Sequence, residues 1–437
     1  MTQTIGIGLV GCGVVGTGIL KLLEDHQETI ARRLGGTLEV RTIAVRDVAR
    51  PRDPVVPLDL LCSDPLKVAV DPKVDLVVEV IGGTTIASEV VHAALDAGKH
   101  VITANKALIA QQGDLLLGKA HKKGLDLYFE AAVAGGVPII RVLREALASD
   151  EVSSLHGIVN GTSNYILSRM AVAGLAYETA LLEAQEKGYA ESDPTLDVRG
   201  VDAQHKLAIL ATLAFGVRIK PDQIVTEGIE EVTAKDVAFA ARFGYAVKPM
   251  AVAKRLEDGT LDLRVHPALV PEDSVFANIH GALNAVHLDA AMVGPCLLSG
   301  PGAGALPTAM SVVSDLVDVG RNYLSGAHGR VPGHAVVPGS LGTSPDTSSA
   351  DASAARFFLR LTVRDRPGVL ARIAGVLAAF EVSIEQLVQE ELETGEALVI
   401  LVTHFARARD MRAAVREIDL LGHVLQPTRV LRIEETA

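Results

Sequence analysis

The sequence predicts a mixed α/β chain in three parts: a doubly wound parallel domain, an α+β domain, and a small C-terminal module of strand, helix, strand, strand, helix, strand order. Three observations predict it. Short β-branched runs alternate with helical periodicity over residues 1–137, and after Pro138 the texture changes to longer helices followed by strand-like segments. A stretch rich in Gly, Pro, Ser and Ala over 325–354 then reads as a linker before a last block with its own alternation. At 437 residues the chain exceeds what one hydrophobic core holds, so two or three domains are expected.

In the first part the apolar pattern predicts strands over 5–10, 39–45, 75–81, 100–103 and 126–130, with helices such as 14–26 and 88–97 between them. The second part, 138–299, reads as helices over 164–173, 177–187 and 202–215 and strands near 261–265 and 287–293. A glycine-rich turn then opens a helix over about 300–324 that is expected to return to the first domain. The last domain, 355–437, has Pro367 and Gly368 opening its first helix. Its element order is the ferredoxin-like one.

The balance of 41 basic against 53 acidic residues leaves a net charge of −12 with no basic block, which argues against a nucleic acid partner. Cys12, Cys62 and Cys296 are far apart, match no paired zinc spacing and fit a reducing compartment. There is no basic n-region at the start and no run of 18 apolar residues. A soluble, cytoplasmic protein with no membrane partner is expected.

The first strand runs into "GLVGCGVVGTG", where Gly11, Gly13 and Gly16 satisfy G-x-G-x-x-G between a strand and a helix. This is the Rossmann-type dinucleotide turn: a tight bend at Gly11, close approach to a pyrophosphate at Gly13, helix packing at Gly16, with Val14 and Val15 beside the ligand. The second strand ends in Arg46 and then Asp47. An arginine there suits a 2′-phosphate, so NADP is favoured over NAD, and Arg50 and Arg52 are either further charge for it or plain loop residues. "VITANK" places Asn105 and Lys106 at the carboxyl edge of the sheet, where ligands of this fold bind.

The stretch "GYAESDPTLDVRGVDAQHK" holds Glu191, Asp193, Asp197 and Asp202, and ends on Lys206. Three readings are open: a metal site, a solvated loop, or a cradle for a cationic substrate. The acids lack the Asp-x-Asp alternation and the glycine of a calcium loop. Asp193-Pro194 favours a turn. The helix that follows is apolar from Leu207 to Phe215, so Lys206 stands where a buried helix emerges, one turn beyond Asp202. Burial and Asp202 act on that lysine in opposite directions, which makes it a candidate for proton exchange. An α-amino acid has an ammonium group for the acids to bind.

Several motifs together resemble the homoserine dehydrogenase family: "GLVGCGVVGTG", "VVEVIGG", "VITANKALIA", "EAAVAGGVPII", "GIVNGTSNYIL", "GYAESDPTLDVRGVDAQHKLAILA" and "GPGAGALPTAM" stand in family order. "LRLTVRDRPGVLARIAGVLAAFEVSIEQL" resembles an ACT domain, a regulatory module that binds amino acids. The resemblance implies reversible, NAD(P)H-dependent reduction of aspartate 4-semialdehyde to homoserine in threonine, methionine and isoleucine biosynthesis. It makes Lys206 the proton donor and Lys106 its partner near substrate and nicotinamide. It gives Glu191, Asp197, Asp202, Gly161 and Thr162 to the substrate, and Gly302 to the cofactor. It also implies a monovalent cation such as Na+ on Glu130 and the carbonyls of Val133, Gly135 and Val137, threonine as effector at the ACT domain, and a homodimer or homotetramer. Rivals are an amino-acid dehydrogenase acting at an amine carbon and a sensing module without turnover. The second would show decay of Lys106, Glu191 or Lys206, and all three are present.

Overall fold

The computed structural model describes residues 3–343, 353–392 and 395–435. They form two compact units. The first takes the described residues within Met1–Leu155, Asp202–Gln223 and Leu283–Ser344; the second takes those within His156–Val201, Ile224–Ala282 and Pro345–Ala437. The apolar helix that carries Lys206 therefore groups with the nucleotide-binding sheet, and the ACT module groups with the acidic loop.

The first unit is built on six parallel strands, β1 (Thr4–Val10), β2 (Thr37–Ala44), β3 (Leu61–Cys62), β4 (Leu76–Glu79), β5 (His100–Thr103) and β6 (Leu127–Tyr128). Their order is β3-β2-β1-β4-β5-β6. The chain reverses its winding between β1 and β4, which opens a crevice at their carboxyl ends. Leu76, Val77 and Val78 are fully buried, as a sheet covered on both faces requires. The helix Ala305–Ser325 does return to this sheet: Val312, Leu316 and Val319 join the core of Ile5, Ile7 and Leu9. A Cβ on Gly18 would lie 2.7 Å from the Ala305 carbonyl oxygen, so that glycine lets the first helix and the long helix touch.

Several elements differ from expectation. A second helix, Gln27–Leu34, a short β3 and a helix Pro65–Val70 stand where no element was expected. Asp64 caps the last of these by accepting from the amides of Leu66 and Lys67. β6 stops at Tyr128 because Glu130–Ala132 turns into a 3-10 helix. The strand expected over 287–293 is Leu283–Ala290, ended by the Asp150 carboxylate, which accepts from the amides of Met292 and Val293 at 2.9 Å each and draws 291–293 into a turn. Part of the segment expected as linker lies on the first unit: Arg144 donates to the carbonyls of Val331 and Pro332 at 3.2 Å each, and His334 meets Asp114 at 3.0 Å. Such contacts use backbone carbonyls and single side chains, and leave no periodic pattern to read. The rest of that segment, 344–352, lies outside the described residues.

In the second unit the strands Tyr245–Arg255, Leu261–Pro271, Arg429–Ile433, Ala354–Arg364, Glu396–Thr403 and Ile384–Glu391 follow one another in the sheet. Phe358, Leu398 and Ile400 face a core with the helices Gly161–Ala173 and Ala234–Arg242, while Phe357, Leu359 and Val399 face the helices Val369–Ala379 and Ala408–Asp419. Both faces are covered, so "FFLRLTV" and "ALVILV" read as continuous apolar runs. Among the described residues no helix is long and apolar enough to cross a membrane.

Candidate functional site

The crevice beside β1 is a cleft of about 560 Å³ lined by Gly11, Gly13, Arg46, Asp47, Arg50 and Ile81 among others. Each glycine of the turn has a distinct reason to be there. Gly11 has φ +105°, and a Cβ on Gly16 would lie 2.3 Å from the Gly11 carbonyl oxygen. A Cβ on Gly13 would meet no protein atom within 4 Å. Packing therefore explains Gly11 and Gly16, whereas no protein contact requires a glycine at Gly13. The helix Val14–Asp25 starts there with no side-chain cap and no acid in its first turn, so its free amides face the cleft. Val14 is 70% exposed beside the turn, and Val15 is half-buried. Burial pushes the Cys12 thiol up, which fits a core role.

Arg46 and Arg50 are exposed on the rim beyond β2. Arg52 instead ties the loop to the glycine turn, donating to the Cys12 carbonyl at 3.0 Å and the Asp47 carbonyl at 2.7 Å. Gly302 does not line the cleft. It adjoins the turn after β6, where a Cβ on Gly135 would lie 2.6 Å from the Gly302 carbonyl oxygen.

Across the switch point Glu79 organises the next loop. Its carboxylate accepts from the amides of Ile81 at 2.9 Å and Gly82 at 3.2 Å, and from the Thr103 hydroxyl at 2.6 Å. Thr103 in turn accepts from the Asn105 amide at 3.0 Å. Asn105 donates to the Gly83 carbonyl at 2.7 Å and caps the helix Lys106–Lys122 by accepting from Leu108. Lys106 is thus fixed as the first helical residue at the carboxyl edge of the sheet. Sequence reasoning passed over Glu79 and Thr103, although a carboxylate closing an apolar strand before "IGG" is a visible signal.

A lysine at a helix start faces the positive end of the helix dipole. Here a carboxylate compensates: Lys106 Nζ lies 2.6 Å from Asp202 Oδ1, and Lys206 Nζ lies 2.7 Å from Asp202 Oδ2. One acid thus joins two lysines that are 100 positions apart in the chain. Asp202 is 5% exposed and Lys206 is 9% exposed, whereas the Lys106 side chain is 42% exposed. Burial alone would raise the Asp202 carboxyl, but the charges of Lys206 and Lys106 outweigh it and hold the acid well below the usual carboxylate range. The result is a carboxylate fixed as an anion with an ammonium group on each oxygen.

In the second unit the acidic loop is tied to the start of the helix Gly161–Ala173. Asn160 caps that helix by accepting from Ser163 and donates to Asp197 Oδ1 at 2.7 Å. The Thr162 hydroxyl donates to the Tyr189 carbonyl at 2.7 Å, and Ser163 donates to the Asp197 carbonyl at 3.0 Å. Gly161 is required by contact, since a Cβ there would lie 2.7 Å from the Ala282 carbonyl oxygen. Asp193 accepts from the Thr195 amide and hydroxyl, the turn its Asp-Pro pair predicts. Glu191 is exposed in the same loop. Asn160 was not singled out from the sequence, although "NGTSN" contains it.

The turn after β6 buries Glu130, whose carboxylate oxygens accept from the amides of Ile140 and Arg141 at 2.9 Å each. The Gly135 carbonyl accepts from Ser311 at 2.7 Å. Burial first, then the charge of Asp315, push the Glu130 carboxyl up.

Three family models match the chain in succession. A model described as homoserine dehydrogenase, NAD binding domain, matches residues 11–130, one described as homoserine dehydrogenase matches 138–317, and an ACT domain model matches 357–419. A homoserine dehydrogenase of Pseudomonas aeruginosa is 44% identical over 436 residues, with 99% of each chain covered. The crystal structure of a homoserine dehydrogenase from Thiobacillus denitrificans aligns with a TM-score of 0.92 at 43% identity over 99% of both chains. A hyperthermophilic archaeal homoserine dehydrogenase in complex with NADPH aligns with a TM-score of 0.61 at 26% identity, covering 72% of this chain and 98% of that one. With identity running the full length and all three models falling in order, the chain belongs to the homoserine dehydrogenase family, oxidoreductases acting on a CH–OH group.

Proposed function

We propose that the chain interconverts aspartate 4-semialdehyde and homoserine with NADP as its preferred cofactor. The observation that carries this reading is Asp202 held between Lys106 and Lys206. When bound, the reduced nicotinamide supplies a hydride to the aldehyde carbon. As negative charge grows on the carbonyl oxygen, Lys206 Nζ stabilises it and gives up its proton, and Lys106 adds a second positive charge. Asp202 is the anchor that keeps both lysines at one point. Glu191, Asp197, Gly161 and Thr162 are assigned to the substrate, the acids to its ammonium group, because they stand in the family motifs and share one anchored loop and helix start.

The preference for NADP rests on Arg46 and Arg50 at the rim of the cleft and on the absence of an acid at the end of β2 itself. The archaeal relative with NADPH supports it. A monovalent cation such as Na+ fits the turn after β6: Glu130 and the carbonyls of Val133, Gly135 and Val137 are an oxygen-only donor set, and the oxygens already engaged keep a second lone pair. The ACT domain supports a small-molecule effector, for which threonine is the proposal, as it is the end product of one branch the homoserine feeds. A homodimer or homotetramer in a reducing cytoplasm completes the reading.

Steady-state kinetics with homoserine and each nicotinamide test the cofactor assignment. Arg46→Asp is expected to raise KM for NADP about tenfold or more while changing KM for NAD far less, the loss of one charge-assisted contact. Equal changes for the two cofactors would sink it.

A further inference from the structure

The two lysines stand on two helices of the first unit, Lys106–Lys122 and Val201–Phe215, and Asp202 joins them near the helix starts. Farther along, a cleft of about 270 Å³ lies between these helices, lined by Ile109, Gly113 and Leu117 on one and by Ala208, Thr212 and Leu213 on the other. Across that cleft a second carboxylate joins them. Asp114 Oδ2 bonds the Arg218 guanidinium, and Asp114 Oδ1 lies 3.0 Å from His334 Nε2. Asp114 is eight residues beyond Lys106 and Phe215 is nine beyond Lys206, spans of about 12–14 Å at the helical rise. The helices therefore run in the same sense and are tied at two levels, each time through a carboxylate.

The second tie is built on fixed backbone. Gly216, with φ +64°, turns the chain after Phe215, and the Ile219 amide donates to the Thr212 hydroxyl at 3.2 Å, folding 216–219 back on its helix. The Arg218 amide donates to the Gly342 carbonyl and the Gly342 amide to the Gly216 carbonyl, at 3.0 Å each. His334 reaches Asp114 from the same strap of chain, which lies close on the other helix, since a Cβ on Gly333 would be 2.5 Å from Leu117 Cδ2. Burial alone would raise the Asp114 carboxyl, but His334 and Arg218 outweigh it and hold it below the usual carboxylate range. The Arg218 side chain is 54% exposed, so the pair adds little to global stability. What it sets is the spacing of the two helices.

We propose that Asp114 is a positioning residue for the reaction: by holding Arg218 it sets the angle between the two helices, and so the distance at which Lys206 Nζ meets the reacting carbonyl oxygen beside Lys106. This inference rests on the proton-donor role proposed for Lys206. A cleft, not packed side chains, separates the helices at this level, so the ionic tie carries the spacing that close packing sets elsewhere. Proton transfer is sensitive to that spacing, because reacting groups must stand within about 3–3.5 Å of each other. Substrate binding is assigned to the acidic loop and the Gly161 helix start, so the tie bears on kcat and leaves KM alone.

Steady-state homoserine oxidation with NADP by the full-length protein, at a temperature well below the melting point of each variant, tests this. Arg218→Met and Asp114→Ala are each expected to lower kcat about fivefold, the scale of one such ion pair, with KM for homoserine and the dissociation constant of NADPH within about twofold. Arg218→Met added to Asp114→Ala should lower kcat no further, since both break the same tie. Lys119→Met, which removes the pair that the helix Lys106–Lys122 makes with Asp96 and leaves the tie intact, should turn over as wild type does. Lys206→Met in the same assay separates the two claims: if it retains turnover, the proton-donor reading falls and the positioning role falls with it. If Lys206→Met is inactive while Asp114→Ala and Arg218→Met keep wild-type kcat, if their losses add in the double variant, or if Lys119→Met loses as much, the proposal alone is overturned.

Discussion

Asp202 is the residue on which the two lysines depend. Removing a buried acid leaves its partners without compensation, so Asp202→Asn is expected to cost about 3 kcal/mol of stability at neutral pH. The sign of its pH dependence follows from a carboxyl held below its ordinary range in the folded chain. That stabilisation is complete above the unfolded value near pH 4 and is lost as pH falls through the lower folded value. Melting curves of wild type and variant should therefore stay separated from neutral pH down to about pH 4 and converge below it. A gap that persisted unchanged below pH 4 would place the stability elsewhere. The pairing of Asp202 with Lys206 was legible in the sequence, because a four-residue spacing on one helix brings side chains together. That Lys106 completes the arrangement was legible only through the family resemblance: no local pattern links positions so far apart. Glu191 remains in the same position, since its surroundings in its own loop do not by themselves say what it binds.

At the scale of elements, the glycine turn separates fold from function within six residues. Gly16→Ala drives a Cβ against the Gly11 carbonyl and is expected to lower the melting temperature. Gly13→Ala fills only open space, so the melting temperature should hold while the dissociation constant for NADPH rises about tenfold or more. Fluorescence titration of bound NADPH beside thermal melting distinguishes them. If Gly13→Ala melts early and binds normally, the glycine serves packing. This turn, β1, β5 and the apolar helix with Lys206 were plain in the sequence because period and punctuation agree there. Helix Gln27–Leu34 and strand β3 were not, being short and only partly covered. The anchoring of the acidic loop was hidden for another reason. It depends on Asn160 and Thr162 bonding backbone and side-chain groups about 30 positions away, and such bonds have no period.

At the scale of the molecule, the ACT module is part of the second unit's sheet. The strand Arg429–Ile433 pairs with Leu261–Pro271 on one side and with Ala354–Arg364 on the other. Arg360 on the last of these bonds Asp236, which also closes the capping box of the helix Ala234–Arg242. Cutting the chain before Arg356 would therefore strip a sheet neighbour and leave Asp236 buried without its cation, and the truncated protein is expected to melt earlier. A point change is the cleaner test of regulation: Arg360→Lys keeps the charge but loses the fork. It should leave turnover without effector within about twofold and blunt the inhibition by threonine proposed above. An unaltered threonine titration would show that this bridge does not carry the signal. The central functional claim is the proton donor. Purified full-length wild type and Lys206→Met are to be compared in homoserine oxidation with NADP at alkaline pH, with folding checked by circular dichroism. Wild type should turn over, and the variant should lose about 100-fold to 10,000-fold in kcat, the usual contribution of a positioned general acid or base; turnover retained by a folded Lys206→Met, or none in wild type with either nicotinamide, would contradict it.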